Sequence, residues 1–211
     1  MGPAKQHTSN ICFPLVVLND KRRHIPRFVL PNMAPSLHQL PAHVPQSRQR
    51  VHVVVETPKG GRNKFAFDPE IQAFKLMGVL PEGHSFPFDF GFVPSTLAED
   101  GDPLDVLLLL AAPAFPGCVV EARVLGALEV EQEEKDGRVV RNDRLLAVAA
   151  NSREHKGLRE ITDLPAEMLH EIEHFFTSYN AVKGQQIKIL RRVGAARAVA
   201  SLKQAAAAFR A

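Results

Sequence analysis

The chain is predicted to be an α+β protein in which a small mixed or closed β-barrel carries helices on its outside. Three observations lead there. Short β-branched and apolar runs crowd residues 51–150, helical spacing appears only after residue 163, and strands and helices never alternate in the rhythm of a parallel α/β sheet. At 211 residues and 45% hydrophobic content, the chain can bury one good core.

The elements follow in order. Residues 1–48 read as a basic, proline-rich extension, poorly ordered, because Pro14, Pro26, Pro31, Pro35, Pro41 and Pro45 interrupt any long periodic element. The domain is expected over 49–211. It opens with the β-branched strand 51–56, stopped by Thr57-Pro58-Lys59-Gly60-Gly61. Residues 64–67 alternate polar and apolar, 74–80 make a further strand, and the Phe-rich 85–93 is extended. The wholly apolar run 106–110 is long enough for a buried strand and too short for a typical helix. A long strand is expected over 118–130 with Gly126 as a bulge, then a charged loop over 131–143, then a strand over 144–150. Pro165 near a first turn, followed by Met168, Ile172, Phe175 and Phe176, gives a helix; an Ala-rich stretch over 195–209 gives a second. A small barrel of this kind gathers its charged positions at one mouth, and the site is expected there.

Charge is unevenly spread. Residues 1–50 hold seven Lys/Arg and one acid, residues 51–173 twelve Lys/Arg and 22 acids, and residues 174–211 seven Lys/Arg and no acid. The acidic middle suits cations and argues against nucleic acid as its ligand. Cys12 and Cys118 form no framework or C-x-x-C pair, which points to a reducing, cytoplasmic setting. No apolar run approaches the roughly 18 residues that span a bilayer, and the N-terminus lacks the pattern of a signal peptide.

Chemistry concentrates in Glu99-Asp100-Gly101-Asp102-Pro103-Leu104-Asp105-Val106, three aspartates spaced D-x-D-x-x-D directly before the apolar run. Crowded at the mouth of a buried strand, such carboxylates resist ionisation unless cations compensate. Oxygen ligands without neighbouring His or Cys favour Mg²⁺, Mn²⁺ or Ca²⁺ over zinc or copper, and the offsets do not fit an EF-hand. Asp-Gly and Asp-Pro are equally strong turn signals, so on this motif alone a solvated acidic turn and a metal site stand level.

Six segments shift that balance. Val54-Val55-Glu56-x-Pro58, Lys64, Phe86-Pro87-Phe88-Asp89-Phe90-Gly91-Phe92-Val93-Pro94, the aspartate motif, Phe115-Pro116-Gly117 and His174-Phe175-Phe176-x-x-Tyr179 stand in this order. In this the chain resembles the soluble family I inorganic pyrophosphatases over about 51–190. The resemblance implies an OB-like five-stranded barrel with flanking C-terminal helices, a cytoplasmic homo-oligomer, and Mg²⁺-dependent hydrolysis of pyrophosphate to two phosphates by metal-activated hydroxide, with Mn²⁺ or Co²⁺ as alternative cations. It further implies that Asp100 and Asp105 hold the activating metals, that Asp102 joins them and orients or deprotonates the attacking water, and that Glu56 binds a metal arriving with substrate. Lys64 and Tyr179, the only tyrosine, become donors to phosphate oxygens.

The pattern departs from the family on one side. Where the family carries acidic residues after the long strand and then Asp-x-Lys, this chain has Glu131-Gln132-Glu133-Glu134 and Asn142-Asp143-Arg144-Leu145. Gln132 and Asn142 thus take the places of metal-binding aspartates, and Arg144 takes that of a substrate-binding lysine. Asn keeps an oxygen donor but no charge; Glu131, Glu133 and Asp143 are neighbouring carboxylates that either compensate or belong to a solvated loop. Ala66, Gly78, Phe86, Phe90 and Asn180 stand where the family has charged or hydroxyl-bearing residues, and Lys59, Arg62, Lys75 and Arg144 are the basic residues at hand to replace them. These losses motivate a second reading, a catalytically weakened homologue that binds phosphate-containing ligands or a protein partner. A nucleic-acid module is disfavoured by the acidic middle, the absence of Trp and the lone Tyr.

Overall fold

The computed structural model describes residues 17–18 and 27–28 by their backbone, and residues 35–47, 49–133, 136–182 and 184–210. The rest of the expected extension lies outside the described residues. The chain divides into two units, Met1–Pro35 and Ser36–Ala211. In the first, β1 (Val17–Leu18) pairs antiparallel with β2 (Arg27–Phe28).

The second unit begins ahead of the expected boundary at residue 49. A 3-10 turn, Leu37–Gln39, leads into a segment laid along the next strand, where His52 N–H donates to Ala42 O (2.9 Å) and Val44 N–H to Arg50 O (3.1 Å). Prolines remove periodicity from this segment, but they do not keep Ala42 out of the core.

The strands are β3 (Arg50–Thr57), β4 (Asn63–Asp68), β5 (Ala73–Val79), β6 (Asp89–Phe92), β7 (Asp105–Leu109), β8 (Val119–Glu133), β9 (Val139–Arg141) and β10 (Arg144–Ala149). Helix α1 (Ala166–Val182), strand β11 (Ile187–Gly194) and helix α2 (Ala195–Ala208) complete the order. Five strands close on themselves: β3 pairs β6, β6 pairs β7, β7 pairs β10, β10 pairs β8, and β8 returns to β3. Only β7 and β10 run parallel. This ring, with helices packed against it, is the OB-like α+β arrangement expected. The β4–β5 hairpin forms its own two-stranded sheet.

Both faces of β7 are buried. Val106 and Leu108 pack with Ala198, Val199 and Leu202 of α2, while Leu107 and Leu109 pack with Ile172, Phe175 and Phe176 of α1. Successive side chains on a strand point to opposite faces, so a strand covered on both sides reads as a continuous apolar run. That is why β7 shows no alternation.

Gly126 marks a bulge, as expected: between Leu146 and Ala147 the β10 register on β8 moves from Gly126 to Val124. A Cβ there would stand 2.3 Å from Val193 O, so only glycine lets β11 approach. Two expectations are corrected. The charged stretch 131–143 is not all loop, because β8 runs to Glu133 and pairs with β9, setting Glu131 opposite Arg141. And β11 separates the two helices. Its register skips Leu190, with Ile189 opposite Val130 and Arg191 opposite Glu129, and this irregularity hides the period of two in the sequence. No helix among the described residues is long and apolar enough to cross a membrane.

Candidate active site

The acidic motif folds as a turn, and the turn faces a cavity. Gly101, at φ 92°, takes the left-handed conformation that glycine tolerates, and its N–H donates to Ala98 O (3.1 Å). Asp102 N–H donates to the Asp100 carboxylate (3.1 Å), and Ala98 N–H to Asp102 O (2.8 Å). Buried Thr96 then accepts from Leu104 N–H (2.9 Å) and donates to Val93 O (2.6 Å), fixing where β7 begins. Asp105 is its first residue.

Above this turn lies a cavity of about 540 Å³. All seven residues nominated from the sequence line it: Glu56, Lys64, Asp100, Asp102, Asp105, Arg144 and Tyr179. They come from distant parts of the chain. β3 supplies Glu56, β4 Lys64, the turn and β7 the aspartates, β10 Arg144, and α1 the buried Tyr179. The parallel pairing sets Arg144 beside Asp105, and their side chains form an ion pair at 2.6 Å.

Burial dominates the electrostatics of the acidic wall. It pushes the Glu56 carboxyl up to about 8, against a hydrogen bond from Phe67 N–H (2.7 Å), with repulsion from Asp105 adding to the rise. It pushes Asp100 up to about 6, again with Asp105 and Asp102 repelling. Asp105 is raised by burial too, although Arg144 and Lys64 pull the other way. Each of these groups would be stabilised in its charged form by a cation.

Among the described residues, no three His, Cys, Asp or Glu side chains stand together as a ready-made ligand shell. The trio of aspartates therefore shares a cavity without forming a closed cage. The donor set nonetheless fits a hard divalent cation: four carboxylates, no cysteine, and His38 as the one lining imidazole.

The opposite wall differs. Gln132 and Asn142 line the cavity, and Asn142 Nδ2 donates to Gln132 Oε1 (3.2 Å). Arg144 Nη1 donates to the Asn142 carbonyl (2.9 Å) and to its side-chain oxygen, and the guanidinium lies 5.6 Å from the centre of the Phe176 ring. A chain of polar contacts thus runs Gln132–Asn142–Arg144–Asp105.

The neighbouring carboxylates offered as compensation do not reach the cavity; Glu131, Glu133 and Asp143 are absent from its lining. Asp143 instead accepts from Val130 N–H (3.0 Å) and Arg141 (2.8 Å), a structural duty. The replacement cations are also placed elsewhere, Arg144 excepted. Arg62 bonds Glu82 (2.6 Å) and Leu80 O, Lys75 pairs with Asp68 (3.0 Å), and Lys59 lies over Phe88 at 5.3 Å. Phe86, Phe90, Ala66 and Asn180 do line the cavity, while Gly78 sits opposite Lys64 across the β4–β5 pair. Sequence reasoning missed His38, Phe67 and Phe209, which also line it. His38 was assigned to the extension, and the two phenylalanines carry no chemical signature apart from ordinary core rings.

A family model described as inorganic pyrophosphatase matches residues 53–210. An inorganic pyrophosphatase of Thermus thermophilus is 44% identical over 142 residues, covering 66% of this chain and 78% of the relative. One from Methanosarcina acetivorans is 34% identical over 158 residues, 75% of this chain and 91% of its own. Among solved structures, the crystal structure of inorganic pyrophosphatase from Thermus thermophilus is similar with a TM-score of 0.77 at 37% identity, covering 84% of this chain and 100% of that one.

Proposed function

The chain belongs to the inorganic pyrophosphatase family, and from that premise we propose that its cavity hydrolyses pyrophosphate with Mg²⁺, the four carboxylates serving the metal and Lys64, Arg144 and Tyr179 serving the substrate. It is an inorganic diphosphatase, releasing two phosphates from each pyrophosphate. The observation that carries the assignment of residues is their convergence: seven side chains named from spacing and resemblance line one cavity.

Asp100, Asp105 and Glu56 would hold the cations, joined by Asp102. When bound, divalent cations neutralise charge on the diphosphate and lower the pKa of water toward neutrality. Asp102 orients the attacking water and accepts its proton. The turn that ties Asp102 N–H to the Asp100 carboxylate keeps the two acidic groups in one frame. Lys64 and Tyr179 donate to phosphate oxygens. Arg144 donates from a guanidinium already fixed by Asn142, Asp105 and the Phe176 ring, so it loses little freedom on meeting the substrate. Phosphoryl transfer needs little covalent help from a protein; placement and fixed charge supply most of the acceleration.

We infer a cytoplasmic homo-oligomer; the exposed Leu76, Met77 and Val79 on β5 and nearby Ile71 support the self-assembly. Its ligand is pyrophosphate and neither nucleic acid nor membrane. Steady-state phosphate release from pyrophosphate with Mg²⁺, Mn²⁺ or Co²⁺ tests the proposal. Turnover that a chelator abolishes is expected; no release with any divalent cation would overturn it, and tight binding without turnover would favour the weakened homologue.

A further inference from the structure

The carboxylate cluster occupies only part of its cavity. Beside it lies an aromatic annexe that the small, fully charged pyrophosphate anion has no use for: His38, Phe67, Phe92, Leu97 and Phe209. The His38 ring centre is 6.4 Å from Phe67 and 6.2 Å from Phe209, and Phe67 stacks at 6.4 Å with the buried Phe92. These walls are tied down. Ser95 N–H donates to His38 O (2.7 Å), Ser95 Oγ to Leu40 O (2.9 Å), and Leu97 N–H to Ala205 O (3.0 Å). The annexe also touches the cluster directly, since Phe67 N–H donates to Glu56. His38 lies ahead of the family match at residues 53–210, whereas Phe67, Phe92, Leu97 and Phe209 lie within it.

We propose that the annexe binds the base of a nucleoside diphosphate whose phosphates lie at the carboxylate cluster with Lys64 and Arg144. The inference rests on the phosphate-site reading above and extends it to an organic diphosphate. Flat bases stack on aromatic rings with little regard to their sequence-specific edges. The volume of about 540 Å³ falls within the roughly 300–1,000 Å³ of pockets that enclose organic ligands. Phe67 and Phe92 supply a floor, His38 and Phe209 the sides, and the anionic end of the ligand is directed to the cationic residues.

The test uses the full chain, with pyrophosphate consumption as the readout, adenosine 5′-diphosphate as the probe, and free Mg²⁺ held constant. Competitive inhibition by the probe is expected. A His38→Ala/Phe209→Ala double variant should weaken that inhibition about tenfold, within the range that lost base stacking costs, while its KM for pyrophosphate stays unchanged. His38→Phe with Phe209 retained should keep the inhibition. Normal pyrophosphate consumption with no competition by the probe, or equal competition in the double variant, would overturn the annexe proposal and leave the phosphate site standing. An inert wild-type enzyme would instead overturn the phosphate-site reading itself.

Discussion

The two walls of the cavity solve the same problem in different ways. On the β3–β7 side, Glu56, Asp100, Asp102 and Asp105 present carboxylates whose burial and mutual repulsion favour a cation. On the β8–β10 side, Gln132 and Asn142 present neutral amides, and Arg144 pairs with Asp105 on the adjacent strand. Buried carboxylates favour a neighbouring cation, whereas amides and a guanidinium offer hydrogen-bond donors and positive charge of their own. The difference teaches that one side of the cavity holds buried carboxylates that lack enough positive charge, while the other brings amides and a guanidinium of its own.

Substitutions on each wall should therefore fail in different ways. The largest effect is expected for Asp102→Asn, which leaves the turn intact but removes the proton acceptor. Phosphate release should fall about 1,000-fold, within the range for a lost general base, and a fall of less than tenfold would remove Asp102 from that role. Next comes Arg144→Ala on the opposite wall. Deleting one fixed donor to developing charge costs about 100-fold in kcat, and lysine should recover part of it. Because Arg144 also neutralises Asp105, the alanine variant should require less Mg²⁺ for half-maximal rate as its kcat falls. Asn142→Asp should act more mildly, lowering the Mg²⁺ requirement about threefold, since ligand charge tunes affinity for hard cations. An unchanged Mg²⁺ dependence would mean that the amide wall never faces a cation.

Glu129 supplies a contrast outside the cavity. It is buried on β8 beneath Arg141 (3.4 Å), Arg191 (2.8 Å) and Arg197. Burial alone would raise its carboxyl, but hydrogen bonds and charge from Arg191 and Arg197 bring it down to about 2. A folded-state pKa below the ordinary 4.5 stabilises the fold fully above that value, and the contribution is lost as pH falls from about 4.5 toward 2. Glu129→Gln should cost about 2 kcal/mol at pH 7, where charge-assisted hydrogen bonds are lost and the half-exposed arginines rehydrate. Urea midpoints should show that cost shrinking at pH 3, whereas a pH-independent cost would mean the pairing is not what stabilises the site. Where Asp105 in the cavity has the single cation Arg144, Glu129 has three arginines built into the fold.

Legibility in the sequence followed the physics of each element. Strand β7 was readable because it is apolar on both faces, β6 because Phe90 and Phe92 recur at a period of two, and the helices because α1 and α2 each present an apolar stripe. Strand β11 was not, since the irregularity at Leu190 breaks its alternation. The aspartate motif was readable as three residues in one turn. Glu56, Lys64 and Tyr179 joined it only through the resemblance, because nothing local says that β3, β4 and α1 meet at one cavity. His38 was hidden by its setting, a proline-broken segment whose order comes from contacts with Ser95 and β3 rather than from its own pattern. The inability of Glu131, Glu133 and Asp143 to reach the cavity was likewise unreadable, since it depends on how β8 and β9 pair.

Electron paramagnetic resonance of Mn²⁺ titrated into the protein tests the central claim most directly, because it counts bound ions without relying on turnover. Tight binding is expected in the wild type and in Gln132→Ala, with at least a tenfold loss of affinity in Asp100→Asn and Asp105→Asn while circular dichroism stays unchanged. Equal Mn²⁺ binding in the wild type and in both aspartate variants would contradict the account.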